Sequence, residues 1–590
     1  MALSPNVAKD TLKSKRNDRE RFGPFSGMNQ TEARIRGEPR GRSQAALRRS
    51  GEPVKEQKKE SPLYKALKMQ TTLAPVTYGR RTAIKEKIAD ITSFDQMPLL
   101  PVVRESVFSQ ALPGLFDVTP TPIQRLAIPA LLKEQGSTQK PKQKRTKKND
   151  EEKLESDYEQ FLLAAETGSG KTLAYLLPVI DSIKRVEAVE QKEEKLLEIQ
   201  KAKEREEKLK DQVFDIEPEE PAFSNAGRPR AIILVPTAEL VTQVSSKVKA
   251  LSHTVKFRSG MISSALTPRR IKSTVFNPAG IDVLVSTPHL LSSIAKTSPY
   301  ILSRVSHLVL DEADSLLDRS FAPTTTEIID KVAPSLQKLI LCSATIPRSL
   351  DTVLRKRYPD IRRLTTPNLH AIPRRVQLGV VDVEKHPYRG NRDLACADVI
   401  WSIGKAGDSE SYGPFATYMA PKTKKIIVFV NEREEADEVA KFLQSKGIDA
   451  VSLSRDSSGR NQEEILEEYT ESPPPPSPEE IMLAQKKRRL EEAIPFELPE
   501  QPRDSTESRR LPNTKVLVTT DIASRGIDTV AVKTVILYHV PHTTIDFIHR
   551  LGRLGRMGKR GRGVVLVGKK DRKDVVREVR EAMFRGQALI

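Results

Sequence analysis

The chain has 590 residues, of which 37% are hydrophobic and 30% charged, so two or more folded cores must coexist with solvated segments. The formal net charge of +20 favours a polyanionic partner, nucleic acid first and an anionic membrane surface second. No apolar run approaches the roughly 20 residues needed to cross a bilayer, which excludes membrane insertion. Cys342 and Cys396 are too few for a four-ligand zinc site or a disulfide framework and fit a reducing compartment.

Residues 1–87 are polar, basic and poor in aromatics, and read as a disordered basic arm. Asp10, Asp18 and Glu20 interrupt its start, so it is no clean organellar presequence. From about Ile88 the character changes: Phe94 to Phe116 carries spaced apolar residues, part of which should be helical, and after Thr119 to Gln124 an apolar helix is expected up to Leu132. A Lys-rich insertion, 133–160, follows. Phe161 to Thr172, FLLAAETGSGKT, then reads as a strand, a glycine-rich turn and a helix start. Such a turn gathers backbone N–H groups, the positive end of a helix dipole and the Lys171 ammonium around one point, a cradle for polyphosphate. The Thr172 hydroxyl is placed to hold Mg²⁺. Ala165 stands where the general pattern has Gly.

The helix from Thr172 is expected to end near Val186. Residues 187–221, rich in Glu and Lys, form a second insertion, which could be an exposed helix with charge pairs and serve either as a partner-binding arm or as a solvated spacer. Strands are expected at Ala231–Val235, Asp282–Ser286, His307–Leu310 and Leu339–Cys342, with helices between them. Cys342 reads as a plain core residue. Alternation of this kind means a parallel sheet covered on both faces, the α/β class. Each strand ends in a polar cluster: Pro236-Thr237, Thr287-Pro288, Asp311 to Asp314, and Ser343-Ala344-Thr345. Ligands of open α/β sheets bind at such strand ends.

A first domain over 88–365, a linker at 366–373 and a second domain over 374–590 follow from the break near Pro373. The second set of strands is Val376–Val383, Ile426–Val430, Ala450–Leu453, Val516–Thr520, Val535–His539 and Val564–Val567. Residues 404–425 and 471–511 read as insertions, the latter carrying Pro473 to Pro476. Asp311 suits Mg²⁺ coordination and Glu312 the orientation of an attacking water. Arg550, Arg553 and Arg556 recur every three residues; on a helix they would share one face, although two glycines lie among them. Guanidinium groups suit a transferring phosphoryl group, so an arginine from the second domain would complete a site in the first.

These segments, in this order over about residues 90 to 570, resemble the DEAD-box RNA helicases, which implies two tandem RecA-like parallel-sheet domains. Thr119 to Gln124 resembles the adenine-reading Q motif, with Phe116 expected to stack on adenine. Ala165, Glu166, Thr167, Gly168, Ser169, Gly170, Lys171 and Thr172 match the phosphate loop, and Asp311 to Asp314 the DEAD motif. Ser343, Ala344 and Thr345 match the motif that couples ATP state to RNA. Thr520 to Asp528 resembles motif V, with Asp528 facing the ribose. His549 onward resembles motif VI, with Arg553 on the phosphates and Arg556 as arginine finger. The resemblance implies RNA backbone contacts from Pro236, Thr237, Thr287, Pro288 and Thr520, and ATP with Mg²⁺ as cofactors.

The sequence departs from the family at Ala238, Ser259, His289-Leu290 and Leu554, and Phe116 is offset by one position. Ala238 and Leu290 leave open an ATP-gated RNA clamp that unwinds little; a DNA translocase of the same superfamily is the third reading. Ser93 to Gln96, the ArgLeuGlyArg variant and the charged insertions most resemble a fungal mitochondrial subfamily linked to mitochondrial RNA metabolism and ribosome assembly. That implies a mitochondrial location, with the nucleus or cytoplasm as alternatives, and ribonucleoprotein partners.

Overall fold

The computed structural model describes residues 78–111, 119–133, 158–210, 227–373, 375–405, 423–453, 469, 482, 510–511, 513–520, 532–555, 560–586 and 589. Phe116, Asp528 and Arg556 lie outside these, as do residues 1–77 and most of the insertions at 133–160, 404–425 and 471–511.

Seven strands form the first sheet: β1 (Glu159–Ala164), β2 (Ala231–Leu234), β3 (Ser259–Ile262), β4 (Val283–Ser286), β5 (His307–Asp311), β6 (Lys338–Ser343) and β7 (Arg362–Thr365). Six form the second: β8 (Val376–Asp382), β9 (Lys424–Phe429), β10 (Asp449–Leu453), β11 (Thr514–Thr519), β12 (Thr534–Leu537) and β13 (Gly561–Val567). Every strand pairing is parallel. The orders are β3-β4-β2-β5-β6-β1-β7 and β10-β11-β9-β12-β13-β8. The α/β, two-sheet class expected from the sequence is the observed one.

Alternation along the strands shows why helices cover both faces. In β1, Phe161 and Leu163 enter one core, and Leu162 and Ala164 the opposite one. In β9, Ile427 and Phe429 face one core, Ile426 and Val428 the other. Side chains of period two with both sets apolar cannot leave either face in water. Cys342 is buried in the same way in β6.

Four local expectations change. Helix Tyr78–Ala89 forms inside the stretch read as a basic arm. It has no Pro and only one Gly, at its start, and Arg125 Nη1 donates to Ile88 O at 3.1 Å, anchoring its end. The helix after the phosphate loop does not stop at Val186; it runs from Lys171 to Lys210. No Gly or Pro follows Pro178 to end it, and pairs such as Lys184–Glu187 at 2.7 Å support its exposed face. Strands β3 and β7 were not expected, because edge strands with polar residues such as Ser259, Arg362 and Arg363 carry a weak apolar signal. Finally, Arg550 and Arg553 do not share a helix. The helix Thr544–Leu551 ends before Gly552, and Gly555 takes φ 73, so Arg550 sits in the last turn and Arg553 in the turn beyond.

Candidate active site between the sheets

The sheet order sorts the polar clusters. Strands β5, β6 and β1 are neighbours, so the DEAD segment, Ser343 to Thr345 and the phosphate loop lie side by side. Strands β4 and β2 adjoin them and carry Thr287-Pro288 and Pro236-Thr237. One rim therefore divides into a half that carries the phosphate loop, the DEAD segment and Ser343 to Thr345, and a half that carries Pro236-Thr237 and Thr287-Pro288. Thr237 caps the helix Ala238–Val255, its hydroxyl accepting from Leu240 N at 3.3 Å. Thr287 is the N-cap residue of Pro288–Thr297. Thr520 follows β11 in the second sheet.

The phosphate loop is held from several sides. Ala165 N donates to Ser343 O at 3.2 Å. Gly168 and Gly170 take φ 72 and 84, which side-chain-bearing residues adopt at a cost. Lys171 is buried and donates to the carbonyls of Ala165 (2.9 Å) and Glu166 (3.0 Å). Ser169 Oγ also donates to Glu166 O, at 2.6 Å. Gln124 accepts from Thr121 N at 2.9 Å and donates to Gly170 O at 3.2 Å, tying the Q-like segment to the loop. A Cβ on Gly170 would lie 2.7 Å from Gln124 Nε2, so this approach requires glycine. Burial pushes the Glu166 carboxyl up to about 7, against the pull of Lys171 and a hydrogen bond from Asn368.

At the end of β5, Asp311 accepts from Tyr175 Oη at 2.9 Å and from Glu312 N at 3.0 Å. Burial first, then the Glu312 charge, raise Asp311 to about 6, with Lys171 opposing. Thr172 lies three residues before Tyr175 on the helix that Lys171 opens, which puts the two on one helical face. A carboxylate and a hydroxyl are hard oxygen donors, and a carboxyl pushed toward neutrality by burial and a like charge gains from a nearby cation. The set fits Mg²⁺. Glu312 takes φ 54, a left-handed backbone that a non-glycine residue adopts at a cost of about 1 kcal/mol.

Contacts across the cleft join the sheets. Thr167 Oγ1 donates to Gly552 O at 2.9 Å. His549 Nε2 lies 3.3 Å from Asp314 Oδ2, the same oxygen to which Thr345 Oγ1 donates at 2.5 Å. Glu312, Asp314 and His549 thus bring their polar atoms within 4.8 Å of one another. Arg553 is buried, its Nε donating to His549 O at 3.2 Å. Arg550 donates to Asn431 Oδ1 at 2.9 Å and lies over the Phe429 ring.

Sequence reasoning missed Tyr175, Asn431 and Asn368. The first follows Lys171 by four residues on the same helical face, and the second follows the end of β9 by two residues, so spacing and the strand-end rule were sufficient signals. Nothing in the sequence marks Asn368. A prediction arises from the Asp314 junction. Thr345→Val keeps the volume but removes the donor, so RNA affinity in the presence of a non-hydrolysable ATP analogue is expected to fall about tenfold, as for loss of a hydrogen bond to a charged group. Fluorescence anisotropy of labelled RNA measures it.

Residues 121–353 match the DEAD/DEAH box helicase family, and residues 492–558 the helicase conserved C-terminal domain. Among solved structures, the chain is similar in fold to Mss116p bound to ssRNA and AMP-PNP (TM-score 0.55, 18% identity, 86% of this chain and 78% of that one). It is also similar to S. cerevisiae Dbp5 bound to RNA and ADP BeF3 (TM-score 0.54, 18% identity, 84% and 93%). The class is therefore a two-sheet DEAD-box helicase core. The protein of Aspergillus clavatus called ATP-dependent RNA helicase mrh4, mitochondrial, is 78% identical over all of this chain and 92% of its own length. That of Coccidioides immitis with the same description is 58% identical, over 100% and 91%. The chain belongs to this mrh4 family of DEAD-box RNA helicases.

Proposed function

We infer that the chain is a mitochondrial ATP-dependent RNA helicase whose two sheets close on ATP and RNA together. The observation that carries this reading is the pair of contacts across the cleft, Thr167 to Gly552 and Asp314 to His549, made by the phosphate-loop and DEAD segments themselves. Lys171 would leave the carbonyls of Ala165 and Glu166 to reach the β- and γ-phosphates. Gln124 and Phe116 would hold adenine, and Asp528 the ribose. Thr172 and Asp311 would hold Mg²⁺, which supplies charge neutralisation at the phosphates. Glu312 would orient and deprotonate water, and Arg553 and Arg556 would stabilise the charge that develops.

Pro236, Thr237, Thr287, Pro288 and Thr520 would touch the RNA sugar–phosphate backbone, which positions a strand without reading its sequence. Ser343, Ala344, Thr345 and His549 lie between the two halves and would pass ATP state to RNA grip. The task served is unwinding of short duplexes or remodelling of ribonucleoprotein in mitochondrial RNA metabolism or ribosome assembly. A clamp with little unwinding is the second reading. It is favoured by Leu290, which packs against the core where the family's usual arginine would offer a charge.

The test is ATP turnover with and without RNA, together with release of a short labelled strand. RNA-stimulated turnover with strand release supports the helicase. RNA retention by an ATP analogue without release supports the clamp. Turnover indifferent to RNA overturns both.

A further inference from the structure

The carboxyl ends of the first sheet's strands carry the phosphate loop and the segments beside it. The amino ends, at the opposite edge, carry a second cluster of charge. Arg258 directly precedes β3, Asp282 precedes β4, Arg230 precedes β2, and Arg304 lies three residues before β5. These strands are neighbours in the order β3-β4-β2-β5, so four separate loops meet at one edge. With Lys256 and Glu187 they line a cleft of about 130 Å³. A polar cleft of that size has room for several waters, and hence for a phosphate group.

The charges do not cancel. The long helix Lys171–Lys210 reaches this edge and supplies Glu187 and Glu190. Lys184 engages Glu187 at 2.7 Å. Glu190 accepts from Arg230 Nη2 at 2.6 Å and from Arg304 Nη2 at 3.1 Å. Asp282 accepts from Arg258 N at 2.9 Å, and its other oxygen lies 3.6 Å from Arg230 Nε. Arg230, Lys256, Arg258 and Arg304 therefore face only Glu190 and Asp282. The Arg230 side chain is 12% exposed, yet its Nε and Nη1 have no hydrogen-bond acceptor among the described residues. A buried charged donor left unmet is costly until an acceptor arrives, and the oxygens of a phosphate match the guanidinium fork.

An aromatic ring stands on the same loops. Tyr300, four residues before Arg304, is 70% exposed. Arg228, two residues before Arg230, sets its guanidinium 5.7 Å from the centre of that ring. Single-stranded nucleic acid binds to such a combination, its backbone following the charge and a base stacking on the ring. A free phosphate ion makes no use of the ring.

We propose that the amino edge of the first sheet is a second RNA contact, in which Arg230, Lys256, Arg258 and Arg304 take a backbone phosphate and Tyr300 a base. Thr237 and Thr287 lie at the other ends of β2 and β4, so this contact is separate from the rim that carries the active site. It goes beyond the helicase reading: ATP turnover does not require it, and it tethers the enzyme to RNA outside the segment being worked on. Glu190 makes the grip adjustable. Its carboxylate already occupies one nitrogen of each of two arginines, so a phosphate must compete with it, and a phosphate that wins releases one anchor of the long helix.

The experiment measures the affinity of the full chain for a labelled single-stranded RNA, without nucleotide and over a range of salt. Arg230→Gln, Arg304→Gln and Lys256→Gln should each weaken binding about fivefold and lower the salt slope by about one, the mark of a lost phosphate contact. Lys256 is exposed, so its variant decides the matter if an arginine variant does not fold. Tyr300→Ala should weaken binding about fivefold with the slope unchanged, as for a lost stacking partner. Glu190→Gln removes the competing charge and should tighten binding about threefold. RNA-free ATP turnover should match the wild type in every folded variant. RNA carrying a photoreactive uridine should crosslink within residues 299–304. Wild-type affinity and slope in both Lys256→Gln and Arg304→Gln overturn the site. Inorganic phosphate that binds the wild type but not Arg304→Gln, with RNA binding unaltered in Tyr300→Ala, shows a free-phosphate site and overturns the RNA assignment. A wild type whose turnover ignores RNA overturns the helicase reading alone, because this contact is read without nucleotide.

Discussion

Glu312→Gln is expected to lower RNA-stimulated ATP turnover by about 10²- to 10⁴-fold, the range for removing a positioned general base. The substitution preserves shape, and Gln tolerates the left-handed backbone (φ 54) no worse than Glu, so the end of β5 should keep its geometry. It also removes the negative charge that, after burial, raises the Asp311 carboxyl. Asp311 should therefore become a better anion, and nucleotide binding should hold or tighten while turnover collapses. Phosphate release in the steady state reads the first effect, and a fluorescent-nucleotide titration the second. Turnover within a few-fold of wild type would show that another group activates the water.

The opposite response is expected from a lost phosphate ligand. A variant that fails to bind nucleotide and one that binds but does not hydrolyse it are separable only because Lys171 and Glu312 sit on different strands. Lys171 opens the helix after β1, and Glu312 follows β5, with β6 between them. Ser343 and Thr345, on that intervening strand end, are buried and bonded to the phosphate loop on one side and Asp314 on the other.

Much of this was legible in the sequence, for a physical reason. A strand buried on both faces must be apolar throughout and must give way to polar residues where the chain turns at the sheet edge. β1, β2, β4, β5 and β6 announced themselves by that contrast, and so did the clusters at their ends. Strands β3 and β7 did not, because an edge strand has fewer neighbours and tolerates Ser259 or Arg362. An exposed helix after Glu187 was readable from its charge pairs, but the break placed near Val186 was not real: composition marks Glu187 onward as solvated, and solvation does not end a helix; only a breaker or a cap does. The period of the arginine repeat suggested one helical face, while the two glycines among the arginines already argued against such a helix.

Contacts between distant segments were the least legible. Thr167 and Gly552 are 385 positions apart, and neither residue type reports a partner. The same holds for Thr366 of the linker, whose N–H donates to Ala164 O. Local pattern records what a residue does to its own strand or helix, whereas these pairs exist only once two sheets and a linker have been assembled.

Gly552→Ala is the sharpest test of that assembly. A Cβ on this residue would lie 2.0 Å from Thr167 Oγ1, 3.0 Å from Thr167 Cβ and 2.5 Å from Ile548 O. The backbone at Gly552 is right-handed (φ −67, ψ −5), so alanine is not disfavoured by conformation. The methyl meets the phosphate loop of the other sheet as well as the Ile548 carbonyl of its own helix. The second domain can accommodate it by a small shift, but the two sheets then cannot approach as closely. Displacement of a catalytic group by about 1 Å is worth about 10²-fold, and RNA-stimulated turnover should fall by at least that factor. Nucleotide affinity without RNA should change little, because the first sheet supplies the loop. A fluorescence pair spanning the cleft should report loss of closure with ATP analogue and RNA. Thr167→Ala removes the nearest atom, so the double variant Thr167→Ala/Gly552→Ala should recover part of the lost turnover, a coupling that independent sites do not show. Full activity in Gly552→Ala would mean that the working closed form does not use this contact.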